Sequence, residues 1–171
     1  MKPNAIVYTS NTGHTERYAR LLGEATGLGV IELTEAKKML PRGERIIYMG
    51  WLFASSVKGF SKANDYFDIK AVVGVGLCPT GTLLDEVRAA IKLHESTPLF
   101  TVQGGMDKEK LRGINKFMIN ALTKSLESKK EKDEKDLSML DLLSQSGDLV
   151  SADNLNKTVN WFNMVQKSQN Y

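Results

Sequence analysis

Short, wholly apolar runs alternate with stretches of helical period along the first hundred residues. Ala5-Ile6-Val7-Tyr8 is compact and apolar, as expected of a strand buried on both faces. Tyr18, Leu21, Leu22 and Ala25 then fall at i, i+3, i+4 and i+7, one stripe of a helix that Gly27 can end. Val30, Ile31 and Leu33 predict a second strand, Ile46 to Met49 a third and Val72 to Leu77 a fourth. Leu83, Val87, Ala90 and Ile91 mark a further helix before a fifth strand over Pro98 to Val102, and a weak helix is expected around Lys58 to Phe67. Strands interleaved with helices in this way predict an α/β protein, a parallel sheet with helices on both faces.

After the fifth strand the pattern changes. Leu111, Ile114, Met118, Leu122 and Leu126 predict a long amphipathic helix capped by Asp107. Lys129 to Asp136 is an unbroken run of eight charged residues, four of each sign, expected to be a solvated helix end or loop. Leu137, Leu140, Leu142 and Leu143 form a short helical piece. A last helix, capped by Ser151 or Asp153, carries Leu155, Val159, Phe162 and Val165.

Composition narrows the classes. The 171 residues suit a single domain, 1–171, and no change in composition divides them. The lone Cys78 rules out an intramolecular disulfide and a cysteine zinc site. The apolar segment after Lys2 stops at Thr9, too short for a signal peptide, and no run is long enough to span a membrane, so the expected location is cytoplasmic. Net charge is +3, and the basic residues are scattered rather than gathered into a stripe with aromatics, which argues against nucleic acid as a partner. With only His14 and His94, no Ser-His-Asp arrangement or histidine metal cluster can be argued from the sequence.

Candidate chemistry concentrates in Thr9-Ser10-Asn11-Thr12-Gly13-His14-Thr15, a hydroxyl-rich turn between the first strand and the first helix. The first amides of a helix have no intrahelical partner and point at whatever lies over its end, where an anion gains about 0.3–1 kcal/mol. Ser10, Thr12 and Thr15 add hydroxyls, and Gly13 lets a ligand approach the backbone. A phosphate monoester is the group such donors suit. A Walker loop is excluded because no Gly-Lys pair occurs, and the G-x-G-x-x-G fingerprint fails because Pro79 stands where the third glycine after Gly74 and Gly76 should be.

Ser10-x-Thr12-Gly13-x-Thr15 directly after an apolar strand resembles the FMN-phosphate loop of the flavodoxin family, and the order of strands and helices is similar along nearly the whole chain. The resemblance implies a three-layer α-β-α flavodoxin-like fold with a five-stranded parallel sheet in the order 2-1-3-4-5. It also implies FMN at the switch point, its phosphate on Ser10, Asn11, Thr12, Gly13, His14 and Thr15. His14 stands where the family often has asparagine, and its amide can serve equally. The family holds the flavin ring with the loops after strands three and four. Here those supply Trp51, Leu52, Phe53, Ala54 and Ser55, then Cys78, Pro79, Thr80 and Gly81. Trp51 or Phe53 is expected to offer an aromatic wall.

Two departures bear on function. The chain is basic where electron-carrier flavodoxins are strongly acidic, and the second ring loop has no aromatic. With Lys58 near the first ring loop and no acid before Asp65, a bound flavin is expected to have a higher potential than in acidic carriers. The layout after Gln103-Gly104-Gly105 is loosely similar to the branch that includes the menaquinone-dependent protoporphyrinogen oxidases. The expected function is therefore electron transfer through FMN to a redox partner protein or a small acceptor. The alternatives are a flavin-dependent oxidoreductase on a quinone or porphyrin-like substrate, and a flavin-free module that binds a partner.

Overall fold

The computed structural model describes residues 2–106, 109–111, 113–144 and 147–168. The first half alternates strand and helix. It runs β1 (Ala5–Thr9), α1 (His14–Thr26), β2 (Gly29–Glu32), α2 (Leu33–Met39), β3 (Arg45–Phe53), β4 (Ser56–Val57), α3 (Phe60–Asn64), β5 (Asp68–Gly76), α4 (Leu84–Ala90) and β6 (Leu99–Gln103). Five strands pair in parallel in the order β2-β1-β3-β5-β6, which is the expected 2-1-3-4-5 once β4 is set aside. The short β4 runs antiparallel to the end of β3, pairing Leu52 with Val57 and Phe53 with Ser56.

Both faces of the sheet are covered, so the fold is three-layered and α/β. Ile6, Ile47, Met49, Val73 and Val75 pack against Tyr18, Ala19 and Leu22 of α1 and against the C-terminal helix. Val7, Ile46, Tyr48 and Val72 face the other way, onto Leu33 and Ala36 of α2, Phe60 and Ala63 of α3, and Val87 of α4. Burial on both faces explains why these strands read as apolar runs rather than alternating ones.

Several elements differ from the sequence reading. Leu33 opens α2 instead of ending β2, because the Glu32 carboxylate accepts a hydrogen bond from Thr34 N and caps a helix there. The weak helix shortens to Phe60–Asn64. The segment Trp51 to Phe53 is strand rather than loop, and Ala54 and Ser55 alone make the turn into β4, at φ 47° and 59°. Two central residues at positive φ is what a tight hairpin requires, but without glycine or asparagine the turn carries strain.

Beyond β6 come β7 (Gly105–Met106), α5 (Gly113–Glu127), α6 (Glu134–Ser144), β8 (Gly147–Asp148), a 3-10 turn at Ala152–Leu155 and α7 (Asn156–Lys167). Asp107, the expected cap of α5, lies outside the described residues. The segment 104–151 is an insertion between β6 and the 3-10 turn, and in it Leu111, ahead of α5, is buried with Leu126 and Leu143 in a small core. The charged run forms the exposed link into α6, where Lys129 Nζ meets Asp136 Oδ1 at 2.7 Å. Ser151 caps the 3-10 turn by accepting from Asp153 N. Strands β7 and β8 pair antiparallel, Gly105 opposite Asp148, and a Cβ on Gly105 would lie 2.0 Å from Gly147 O. Glycine at 105 is thus required by the close approach of the two strands. Among the described residues, no helix is long and apolar enough to cross a membrane.

Candidate functional site

The carboxyl ends of β1, β3 and β5 meet where the order of strands reverses, the crevice in which open α/β sheets take ligands. The hydroxyl-rich turn forms one wall. Gly13 sits at φ 97° as the residue before α1, and its amide donates to Ser10 Oγ at 3.2 Å. The amide of Arg17 bonds back to Gly13 O at 3.0 Å, and the amides ahead of it belong to the first turn of a helix, where partners come from outside the helix. A Cβ built on Gly13 would have no atom within 4 Å, which leaves open space over the turn.

Histidine 14 does more than lend an amide. Its ring is buried, Nδ1 lies 3.0 Å from Thr12 Oγ1, and Nε2 lies 3.9 Å from Asp148 Oδ1. Arg17, one turn along the same face of α1, donates to Asp148 Oδ2. That hydrogen bond from Arg17, working against partial desolvation, holds the Asp148 carboxyl below its ordinary range. The next residue on this face, Tyr18, donates its hydroxyl proton to Gln103 O and accepts from Asn154 Nδ2 at 2.6 Å. Neither Arg17 nor Asp148 was predicted from the sequence. Arg17 is three residues from His14, a spacing that places both on one helix face. Asp148 lies 131 residues farther on, and no local pattern announces it.

A small cleft of about 60 Å³ opens from this wall, lined at its polar end by Asn11, Thr12, His14, Thr15 and Gly105 and at its apolar end by Trp51, Leu52 and Leu77. Ser10 and Gly13 build the turn itself. Next to it lies a cavity of about 340 Å³ between the two loops expected to hold a ring. Leu52, Phe53, Ala54 and Ser55 line one side, and Leu77, Cys78 and Pro79 the other. Ile119, Leu122, Leu126, Met139 and Leu143 close it from α5 and α6, with Lys135 and Asp136 the charged side chains on its lining. The two spaces share Leu52, Gly76, Leu77 and Ile119, so the polar turn and the apolar cavity adjoin.

Leu52 shapes the junction. Its side chain lies over Gly74 and Gly76, where added Cβ atoms would come within 2.9 and 3.0 Å of it. The Gly74-x-Gly76 pair therefore clears room for a leucine and needs no dinucleotide to explain it. Of the second ring loop, the structure brings Cys78 and Pro79 to the cavity and ties Thr80 and Gly81 to β6. Thr80 Oγ1 accepts from Gln103 N at 3.0 Å, and Gly81 N donates to Thr101 O at 2.9 Å. Burial raises the Cys78 thiol above its ordinary value. Trp51 and Phe53 meet edge to face at 6.1 Å, with Lys58 Nζ 5.7 and 5.1 Å from the two ring centres. His94 pairs with Ser96 Oγ at 2.8 Å, beyond the end of α4.

FMN can be tested against these groups. Its phosphate would need amides, hydroxyls and open space, which the turn around Gly13 offers. Its ring would need an apolar slot between the two loops, and the larger cavity is one of a size usual for ligand pockets. The residues fit. Among the described residues, no group of three metal-ligating side chains occurs. Comparison with family models, curated proteins and solved structures finds no match for the chain.

Proposed function

We propose that this chain is an FMN-binding redox protein of the flavodoxin family that works in the cytoplasm. The supporting observation is the junction of two unlike spaces at one switch point, a polar turn over a helix N-terminus and an apolar cavity between two loops. The turn would take the phosphate through the first amides of α1 and the hydroxyls of Ser10, Thr12 and Thr15. Leu52, Phe53, Leu77 and Pro79 would flank the ring and keep water from it. Bound flavin supplies one- and two-electron chemistry, exchanged with a redox partner protein or a small acceptor. Lys58, held over Trp51 and Phe53, adds positive charge beside the first ring loop. Positive charge favours the anionic reduced flavin, so the potential would stand closer to that of free FMN than in acidic carriers.

Closure of the cavity by α5 and α6 favours a second reading, an oxidoreductase on a hydrophobic substrate of quinone or porphyrin type. Turnover with a soluble quinone separates that reading from a simple carrier. The first test is titration of FMN while following its fluorescence, with riboflavin in parallel. One-to-one quenching by FMN, much weaker with riboflavin, is the expected result. Absence of quenching with either flavin would overturn the proposal in favour of a flavin-free partner-binding module.

A further inference from the structure

His14, Arg17 and Tyr18 occupy one face of α1, and all three engage the segment that leads out of the insertion. His14 and Arg17 meet Asp148, while Tyr18 meets Asn154 and accepts from Ser151 N at 3.3 Å. The position of Asp148 is the unexpected part. It stands opposite Gly105 in the β7–β8 pair, and Gly105 and His14 both line the polar end of the small cleft. Its Oδ1 accepts from Val150 N at 3.2 Å, and its side chain is about half exposed. The fold thus places a carboxylate opposite Gly105 and beside His14, both on the lining of the cleft, and gives it Arg17 as counter-ion.

We infer that Asp148 is a specificity-determining residue of the phosphate turn, a built-in anion that sets how tightly the turn takes a phosphomonoester, with Arg17 offsetting it. This rests on the FMN reading of the same site. A phosphate near His14 and Thr12 feels repulsion from Asp148 and attraction from Arg17, so the two side chains set a balance that a phosphate-free ligand does not feel. Both side chains are partly solvated, so the effect is modest and falls with added salt.

The test compares FMN and riboflavin affinities of Asp148→Asn, Arg17→Gln and the wild type at low ionic strength. Glu24→Gln removes the same charge from an exposed position nearer the other end of α1 and serves as the control. Asparagine keeps the size of Asp148 and can still accept from Val150 N. Asp148→Asn should tighten FMN about three- to tenfold, the Coulomb effect of one partly screened charge. Riboflavin should be unchanged, Glu24→Gln should have no effect, and Arg17→Gln should weaken FMN. FMN binding that appears only in Asp148→Asn would overturn the FMN reading of the natural turn, and the inference with it. If the wild type binds FMN well above riboflavin and Asp148→Asn changes nothing, or shifts both flavins equally, the inference falls and the FMN reading stands. If no variant distinguishes FMN from riboflavin, or none binds either, both fall.

Discussion

Replacing Gly13 by alanine separates the cost of the turn from the cost to a ligand. Gly13 holds φ 97°, where a Cβ is strained, yet the added methyl would meet no atom within 4 Å. The folded state therefore loses only backbone energy, about 1–2 kcal/mol for a side chain held in left-handed backbone. For a chain of this size that is a fall in Tm of about 2–8 °C. A bound phosphate would find the methyl in the space it approaches through. Losing even one amide contact to a charged group costs about 1.5–3 kcal/mol, a weakening of about ten- to a hundredfold. Gly43 supplies the matched control: it stands at φ 82°, also has nothing within 4 Å, and lies in the turn before β3, at the opposite end of the strands. Gly43→Ala should lower Tm by a similar amount and leave FMN affinity alone. Thermal unfolding followed by circular dichroism and fluorescence titration of FMN measure the two effects on the same samples. Gly13→Ala binding FMN as tightly as Gly43→Ala would refute the assignment of the phosphate to this turn.

Ala54→Gly relieves a left-handed Cβ at an exposed hairpin position and should be neutral or stabilising by up to about 1 kcal/mol in urea denaturation; a clear loss would show that the methyl matters. Tyr48 is buried, with its hydroxyl donating to Lys58 O at 2.7 Å and paired with Thr9 Oγ1 at 2.9 Å, so Tyr48→Phe should cost about 1 kcal/mol near neutral pH. Burial raises the Tyr48 phenol, so its contribution is complete below the ordinary tyrosine value of about 10 and is lost above it; the wild type should therefore lose more stability than Tyr48→Phe between pH 9 and about 11. The Cys78 thiol, raised by burial, should react with iodoacetamide at pH 8 more slowly than a cysteine in a short peptide, and equal rates would contradict its placement.

Legibility in the sequence followed the locality of the forces. Strands β1, β3 and β5 are buried on both faces and announce themselves as apolar runs, and Gly27 ends α1 in the left-handed conformation expected of it. Helix α2 escaped because it buries only Leu33 and Ala36, too few for a period to stand out, and because Leu33 extends the apolar run of β2. The Ala54-Ser55 turn escaped because neither residue belongs to the usual chemistry of a tight hairpin. Thr80 and Gly81 sit in the loop after β5 as expected, but hydrogen bonds to β6 turn them from the cavity, and only the register of two strands could reveal that.

The same distinction of local from long-range divides the candidate site. The hydroxyl-rich turn is contiguous, so residue type and spacing alone suggest its chemistry. The apolar cavity is assembled from the ends of β3 and β5 and from α5 and α6, and its enclosure depends on how the insertion folds back. Glycines mark that assembly, though for reasons of space: Gly74 and Gly76 admit Leu52, and Gly105 admits the backbone at Gly147. Each is a place where a second element comes within 3 Å of where a Cβ would be, so replacement by alanine would displace a wall of the site rather than a ligand contact. The insertion thereby becomes part of the binding geometry. Its own small core of Leu111, Leu126 and Leu143 positions the wall, and the pairing of Gly105 with Asp148 anchors it beside His14. A flavin held here would have its phosphate end governed by α1 and its ring environment by the insertion, two elements joined through the contacts of His14, Arg17 and Tyr18.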